Sequence, residues 1–162
     1  MSAKKLGSLL SLVMVLATAS FAWASPSDDE KQIRNNYQII ADGYAKRDAK
    51  RAMEAHIKDD SLIVFDVVKP FEDPGYQRNL EKTQNFMDAT MGPIIIDYQD
   101  IHVTLDKHVA FTTYKVHIAA TGKQGQKIDL VCRGTQALKK IGGKWLIVVE
   151  HNSMPQDWKM EL

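Results

Sequence analysis

Four residues in this chain place a charge or a transferable proton beside apolar sequence. Asp66 ends the run "LIVFD", Arg133 stands inside "DLVCRGTQAL", and His151 and Ser153 close "KWLIVVEHNS". A carboxylate in a dry setting can act as a general base, and an imidazole suits acid–base work near neutral pH. A guanidinium pointing inward needs a carboxylate or an anionic ligand, because burying it unpaired is costly. Asp66 is the natural partner for Arg133, and two readings stand side by side. One is an internal Arg133–Asp66 pair that only holds the structure together. The other is a base and an anion-binding group in one pocket. His151 divides in the same way, as a catalytic acid–base group or as a core histidine bonded to a neighbour.

Other chemistries find less support. The histidines at 56, 102, 108, 117 and 151 show no helical or loop spacing typical of metal ligands. Ser153 lacks a nucleophile elbow, and Cys132, the single cysteine, has no cationic signature of an activated thiol and reads as a small buried side chain. There is no phosphate loop or dinucleotide fingerprint. The chemistry left open is cofactor-free proton transfer.

The elements that must position these groups follow from hydrophobic period and turn residues. Ser27 and Glu30 match a capping box, and Ile33, Tyr37, Ile40 and Tyr44 then form one apolar helical stripe. Tyr37 or Tyr44 could offer a phenol to the pocket. Asp48 caps a second, short helix with Ala49, Ala52, Met53 and His56 on one side. "SLIVFDVV" reads as a strand that "KPFEDPG" breaks, and "YQRNLEKTQNFMDATM" reads as a third helix stopped by Gly92-Pro93. Four long strand patterns follow, joined by "DKH", "TGKQG" and "IGG", which are short enough for antiparallel hairpins. Simple alternation places Trp145, Ile147, Val149, His151 and Ser153 on one face of the last strand, and Leu146, Val148, Glu150 and Asn152 on the other. Val131, Arg133, Thr135 and Ala137 share a face of the strand before it. This order implies an α+β fold, with helices on one face of a curved antiparallel sheet and a hollow between them suited to a small molecule.

Residues 1–24 have the three parts of a secretory signal: Lys4 and Lys5, the apolar "LGSLLSLVMVLATASFA", and "AWA" before the cleavage point. Cleavage leaves 25–162 as a single domain, 138 of the 162 residues, exported and most simply periplasmic. Both signal lysines leave with it, so a net charge of +1 becomes −1. A near-neutral chain gives no electrostatic case for nucleic acid or, after cleavage, for an anionic membrane surface.

The words of the chain also resemble a known family. "LIVFDVVKPFEDPGYQRNLEKTQNFM" is similar to the first strand, proline-rich link and third helix of the SnoaL-like proteins, the ketosteroid isomerase homologues of the nuclear-transport-factor-2-like superfamily. The final Trp145, Ile147, Val149, His151, Ser153 and Pro155 resemble a family strand of the form Trp-x-Ile-x-His-x-His-x-Ser-x-Pro, with Val149 replacing the first histidine. The resemblance implies a cone of three N-terminal helices on a curved antiparallel sheet, and a homodimer formed through the outer sheet face. It implies that the Arg133 and His151 faces line the hollow. Asp66 and His151 would then be the catalytic groups, and Arg133, Tyr37, Tyr44, Ser153 and Trp145 would contact a ligand. The expected function is binding of an apolar or carboxylate-bearing small molecule, with room for isomerase, cyclase or hydratase chemistry. The alternative is a non-catalytic dimeric interaction or structural module.

Overall fold

A computed structural model describes residues 27–155; the secretory signal expected at 1–24 lies outside the described residues. The elements run α1 (Asp28–Ala45), α2 (Ala49–Ala52), β1 (Ile63–Phe65), β2 (Glu72–Pro74), α3 (Tyr76–Ala89), β3 (Thr90–Leu105), β4 (Val109–Gly122), β5 (Lys127–Ile141) and β6 (Lys144–Ser153). Ser27 caps α1 by accepting a hydrogen bond from the Glu30 amide at 3.1 Å, and Asp48 caps α2 by accepting from the Arg51 amide at 2.9 Å. No described helix is long and apolar enough to cross a membrane.

All six strands form one sheet in the order β2-β1-β6-β5-β4-β3. Two expectations need correction here. The sheet is mixed, because β1 runs parallel to β6, with Ile63 opposite Val149 and Phe65 opposite His151. The third helix is also not N-terminal to the sheet, since β1 and β2 precede it. β2 itself lies inside "KPFEDPG". Pro74 is tolerated there because β2 is an edge strand, where one side of the backbone needs no ladder partner. The β5–β6 link is a two-residue hairpin in which Gly142 and Gly143 have φ of 56° and 78°, the left-handed pair that such a turn demands.

The stripe on α1 buries Ile33, Tyr37 and Ile40 against the sheet, where Trp145, Ile147 and Leu138 complete the main core. Asn36 on the same helix donates to the Trp145 carbonyl at 2.9 Å, so the one polar residue of that face is satisfied. α1 and α2 meet closely at Gly43, where a Cβ would stand 2.2 Å from the Ala52 nitrogen.

β6 carries the feature that decides the site. Its pairing with β5 shifts between Ala137 and Leu138, which face Val149 and Ile147, so Val148 is an extra, bulged residue. Trp145 and Ile147 point inward at 1% and 0% exposure. After the bulge the parity reverses, because a one-residue slip sends every later side chain to the opposite face. Glu150 and Asn152 therefore face the helices, while His151 and Ser153 face out.

Replacing Gly43 by alanine should force α1 and α2 apart and destabilise the fold by about 1–3 kcal/mol, the usual range for overpacking. A lowered thermal midpoint, with Ala41→Gly as a helix-propensity control, measures it.

Candidate functional site

The helices and the inner sheet face enclose a cavity of about 460 Å³. Its walls are mostly apolar: Ile40 from α1, Val64 from β1, Phe86 from α3, Ile96 from β3, and Ile118, Ile128 and Leu130 from β4 and β5. Cys132 is part of the same wall; it is buried, and burial pushes its thiol up. Two polar clusters interrupt this lining.

The first is built on Glu150, whose side chain is 14% exposed, against 5% for its neighbour His56. Glu150 Oε2 meets His56 Nε2 at 3.3 Å and accepts from the Gln136 amide at 2.9 Å. Its Oε1 accepts from the Asn152 amide at 2.8 Å. Asn152 Oδ1 in turn accepts from the Tyr114 hydroxyl at 2.9 Å. Burial alone would raise the Glu150 carboxyl, but the bonds from His56, Asn152 and Gln136 outweigh it and hold the group below its usual range. An ionised carboxylate only accepts, so the His56 nitrogen facing it carries the hydrogen. In neutral imidazole this leaves Nδ1 with a free lone pair, and Nδ1 is buried with no partner among the described residues. An imidazole oriented by a carboxylate in a cavity wall is an arrangement suited to proton transfer.

The tyrosine that completes this network depends on a glycine. Gly134 lies opposite Tyr114, and a Cβ there would stand 2.1 Å from the ring. Tyr114 also makes edge-to-face contacts with Tyr37 and Tyr98, at ring separations of 5.3 and 5.2 Å.

The second cluster surrounds Lys82 on α3. Its ammonium is 2.9 Å from Asp66 Oδ2 and also bonds Asp73, a carboxylate only 2% exposed that Arg78 holds from the other side at 2.8 Å. Burial opposes the Asp73 charge, but Lys82 and Arg78 prevail and its carboxyl lies below the usual range. Burial likewise opposes the Lys82 charge, yet Asp73 and Asp66 raise its affinity for the proton. Asp66 also accepts from the Val67 amide at 2.6 Å, so both its oxygens are engaged.

Among the residues expected from sequence, Asp66 and Tyr44 do line the cavity. Burial pushes the Tyr44 phenol up to about 12, so at neutral pH it is a hydroxyl donor. Tyr37 is buried in the core, where it donates to Thr112 Oγ1 at 2.6 Å. Trp145 is also core, beneath the Lys140 ammonium at 5.7 Å from the ring centroid. Arg133, His151 and Ser153 do not face the cavity at all. They lie on the outer sheet face, so the Arg133–Asp66 pair does not form and Asp66 pairs with Lys82 instead. The Val148 bulge explains the misplacement of His151 and Ser153. For Arg133 the reason is that Cys132, Gly134 and Gln136 are the inward residues of β5. His56, Glu150, Asn152 and Lys82 were missed. The sign for two of them was the unbroken apolar run from Trp145 to Val149, which shows no alternation just before Glu150 and Asn152.

The model of the SnoaL-like domain matches residues 33–157. The chain belongs to the SnoaL-like family. No curated protein sequence matches it. Solved NTF2-like structures share its fold at low identity. An NTF2-like superfamily protein of Salmonella enterica serovar Typhimurium superposes with a TM-score of 0.71 at 16% identity, covering 81% of this chain and 94% of that one. A proposed dehydratase of the NTF2-like family from Streptomyces avermitilis gives 0.70 at 15%, covering 82% and 100%. A proposed aromatic ring hydroxylase from Novosphingobium aromaticivorans gives 0.71 at 15%, covering 83% and 94%. At these identities the likeness carries the fold: this SnoaL-like chain is an α+β protein of NTF2-like architecture.

Because the Glu150 carboxyl is held below its ordinary value of 4.5, its network stabilises the fold above that pH and ceases to do so as pH falls through the folded value. Glu150→Gln should therefore cost about 1–3 kcal/mol near neutrality, the usual penalty for disrupting a buried polar group. The difference in thermal midpoint between variant and parent should shrink as the buffer is taken below pH 4.5. A difference independent of pH would contradict the network.

Proposed function

We propose that this protein is an exported SnoaL-like pocket protein that takes an apolar, ring-sized small molecule into the 460 Å³ cavity and moves a proton on it without a cofactor. The single observation that carries the proposal is His56 in the wall of a largely apolar chamber, with Nε2 held by the buried Glu150 carboxylate. His56 is the acid–base group in this reading, and Glu150 orients it. Lys82, held by Asp66 and Asp73, offers a cation to a carbonyl or carboxylate on the ligand, and the Tyr44 hydroxyl offers a second donor. Isomerisation, cyclisation and hydration or dehydration all begin with such a transfer.

Native mass spectrometry of the protein from its own host should show a co-purifying small molecule. Ile128→Trp, which fills the cavity, should abolish it. His56→Gln should retain the molecule. Incubation of the bound form in D2O should then add deuterium to the ligand with the parent protein and not with His56→Gln. Retention by Ile128→Trp would remove the cavity as the site, and equal exchange by both proteins would remove His56 as the base.

One observation favours the interaction reading as a companion to this one. The outer sheet face leaves Phe111 and Val131 half or more exposed, at 50% and 56%, and a homodimer through that face would cover them. Val131→Glu should convert a dimer into a monomer in sedimentation velocity. An unchanged sedimentation coefficient would place any contact elsewhere.

A further inference from the structure

The outer sheet face carries a second concavity, of about 530 Å³, that shares no wall with the inner cavity. Two ladder rows cross its floor. In one, Lys115 lies directly opposite Arg133, which lies opposite Ser153. In the next, His102, Thr113, Thr135 and His151 follow one another across four strands.

Cross-strand partners stand about 5 Å apart at Cβ, so the Lys115–Arg133 juxtaposition sets two permanent cations side by side and is destabilising as it stands. Lys115 has a counter-charge, Asp100 at 2.8 Å. Arg133 has no ion-pair or hydrogen-bond partner for its side chain among the described residues, and Asp100 is the one carboxylate in the lining. Around its guanidinium stand the hydroxyls of Ser153 and Thr135 and the imidazole of His151. Such a set gives a fork of N–H donors with auxiliary O–H and N–H groups, which matches an oxyanion. Apolar surface adjoins it. Val131 lies one pleat before Arg133 on the same face and is exposed, and Phe65 packs edge-on against His151 at 5.8 Å.

We propose that this cleft is an anion-binding site for the carboxylate or phosphate group of a small molecule, with Arg133 as the principal contact and Lys115, Ser153 and His151 as its supports. The site is independent of the inner cavity and of any chemistry there. A second copy of the chain laid on this face would bring the same cations again, since an isologous contact presents the same surface twice. The need for an anion would then grow.

The test is titration of the purified full chain with inorganic phosphate and, separately, succinate, at ionic strength held constant with chloride. Binding is followed by calorimetry and by the histidine side-chain NMR signals. One saturable site per chain is expected, with the His151 resonances moving. Arg133→Ala should weaken binding about tenfold or more, the usual worth of a charged hydrogen bond, and Arg133→Lys should weaken it less. Arg133 is exposed and faces Lys115, so neither variant should lower the thermal midpoint. Ile128→Trp, which fills the inner cavity, should bind the anion as the parent does. Preference for phosphate or for succinate identifies the class of head group. Absence of saturation with both anions overturns the proposal, and so does unchanged affinity in Arg133→Ala.

Discussion

Glu150 is an ionised carboxylate at the base of an apolar chamber, and much of the architecture serves to keep it there. Removing such a group from water costs several kcal/mol unless its lone pairs are met. Three donors meet them, and each comes from a different place in the chain: His56 after α2, Gln136 from β5 and Asn152 from β6 itself. The donors need support in turn. Asn152 is fixed by Tyr114, whose ring occupies the space that Gly134 leaves by lacking a Cβ. His56 is brought to the sheet because the chain after α2 bonds to β6 on both sides of it. The Ile57 amide donates to the Ile147 carbonyl, and the Ile147 amide donates to the Ala55 carbonyl, both at 2.9 Å. The carboxylate therefore ties the helical layer to the last strand, and the same bonds that satisfy it orient the imidazole.

Those bonds exist only because β6 contains one residue too many. Without the bulge at Val148, alternation from Trp145 would carry His151 and Ser153 into the cavity and turn Glu150 and Asn152 to solvent. Bulges are a recurrent means of re-aiming side chains beside functional sites. Here the device lets one strand do two incompatible jobs. Its first half packs Trp145 and Ile147 into the core, and its second half delivers polar groups to the chamber.

This also explains what could be read from the sequence. Helix stripes, caps and hairpin turns are local, and they were legible: the α1 stripe, the Ser27 and Asp48 caps and the two-glycine turn all stand where their residues indicate. Asp66 and Tyr44 were legible as cavity residues because each interrupts or extends an apolar run on an element whose inner face is unambiguous. The parity of β6 beyond Val148 was not, since a bulge is a tertiary choice and the apolar run from Trp145 to Val149 carries no alternation that would mark it. Lys82 was hidden for a different reason. Its partners Asp66 and Asp73 lie on either side of the β1–β2 turn, and only the fold of that turn brings both carboxylates to one point on α3. The parallel pairing of β1 with β6 joins residues far apart in the chain and leaves no local sign at all.

The bulge has a consequence for both faces of the sheet at once. Consecutive residues of β6 beyond it alternate between an acid-based network within and a basic cleft without: Glu150 and Asn152 inside, His151 and Ser153 outside. β5 is arranged to match, with Cys132, Gly134 and Gln136 turned to the chamber, and Arg133 and Thr135 turned away. Neither face could keep its character if the other slipped, because a register change moves every side chain of the strand together. The Glu150 network is buried and closed by three donors, so it resists such a slip far more than the exposed cations opposite. The inner network thus keeps His151 and Ser153 on the outer face, while the alternation of β5 itself presents Arg133 there.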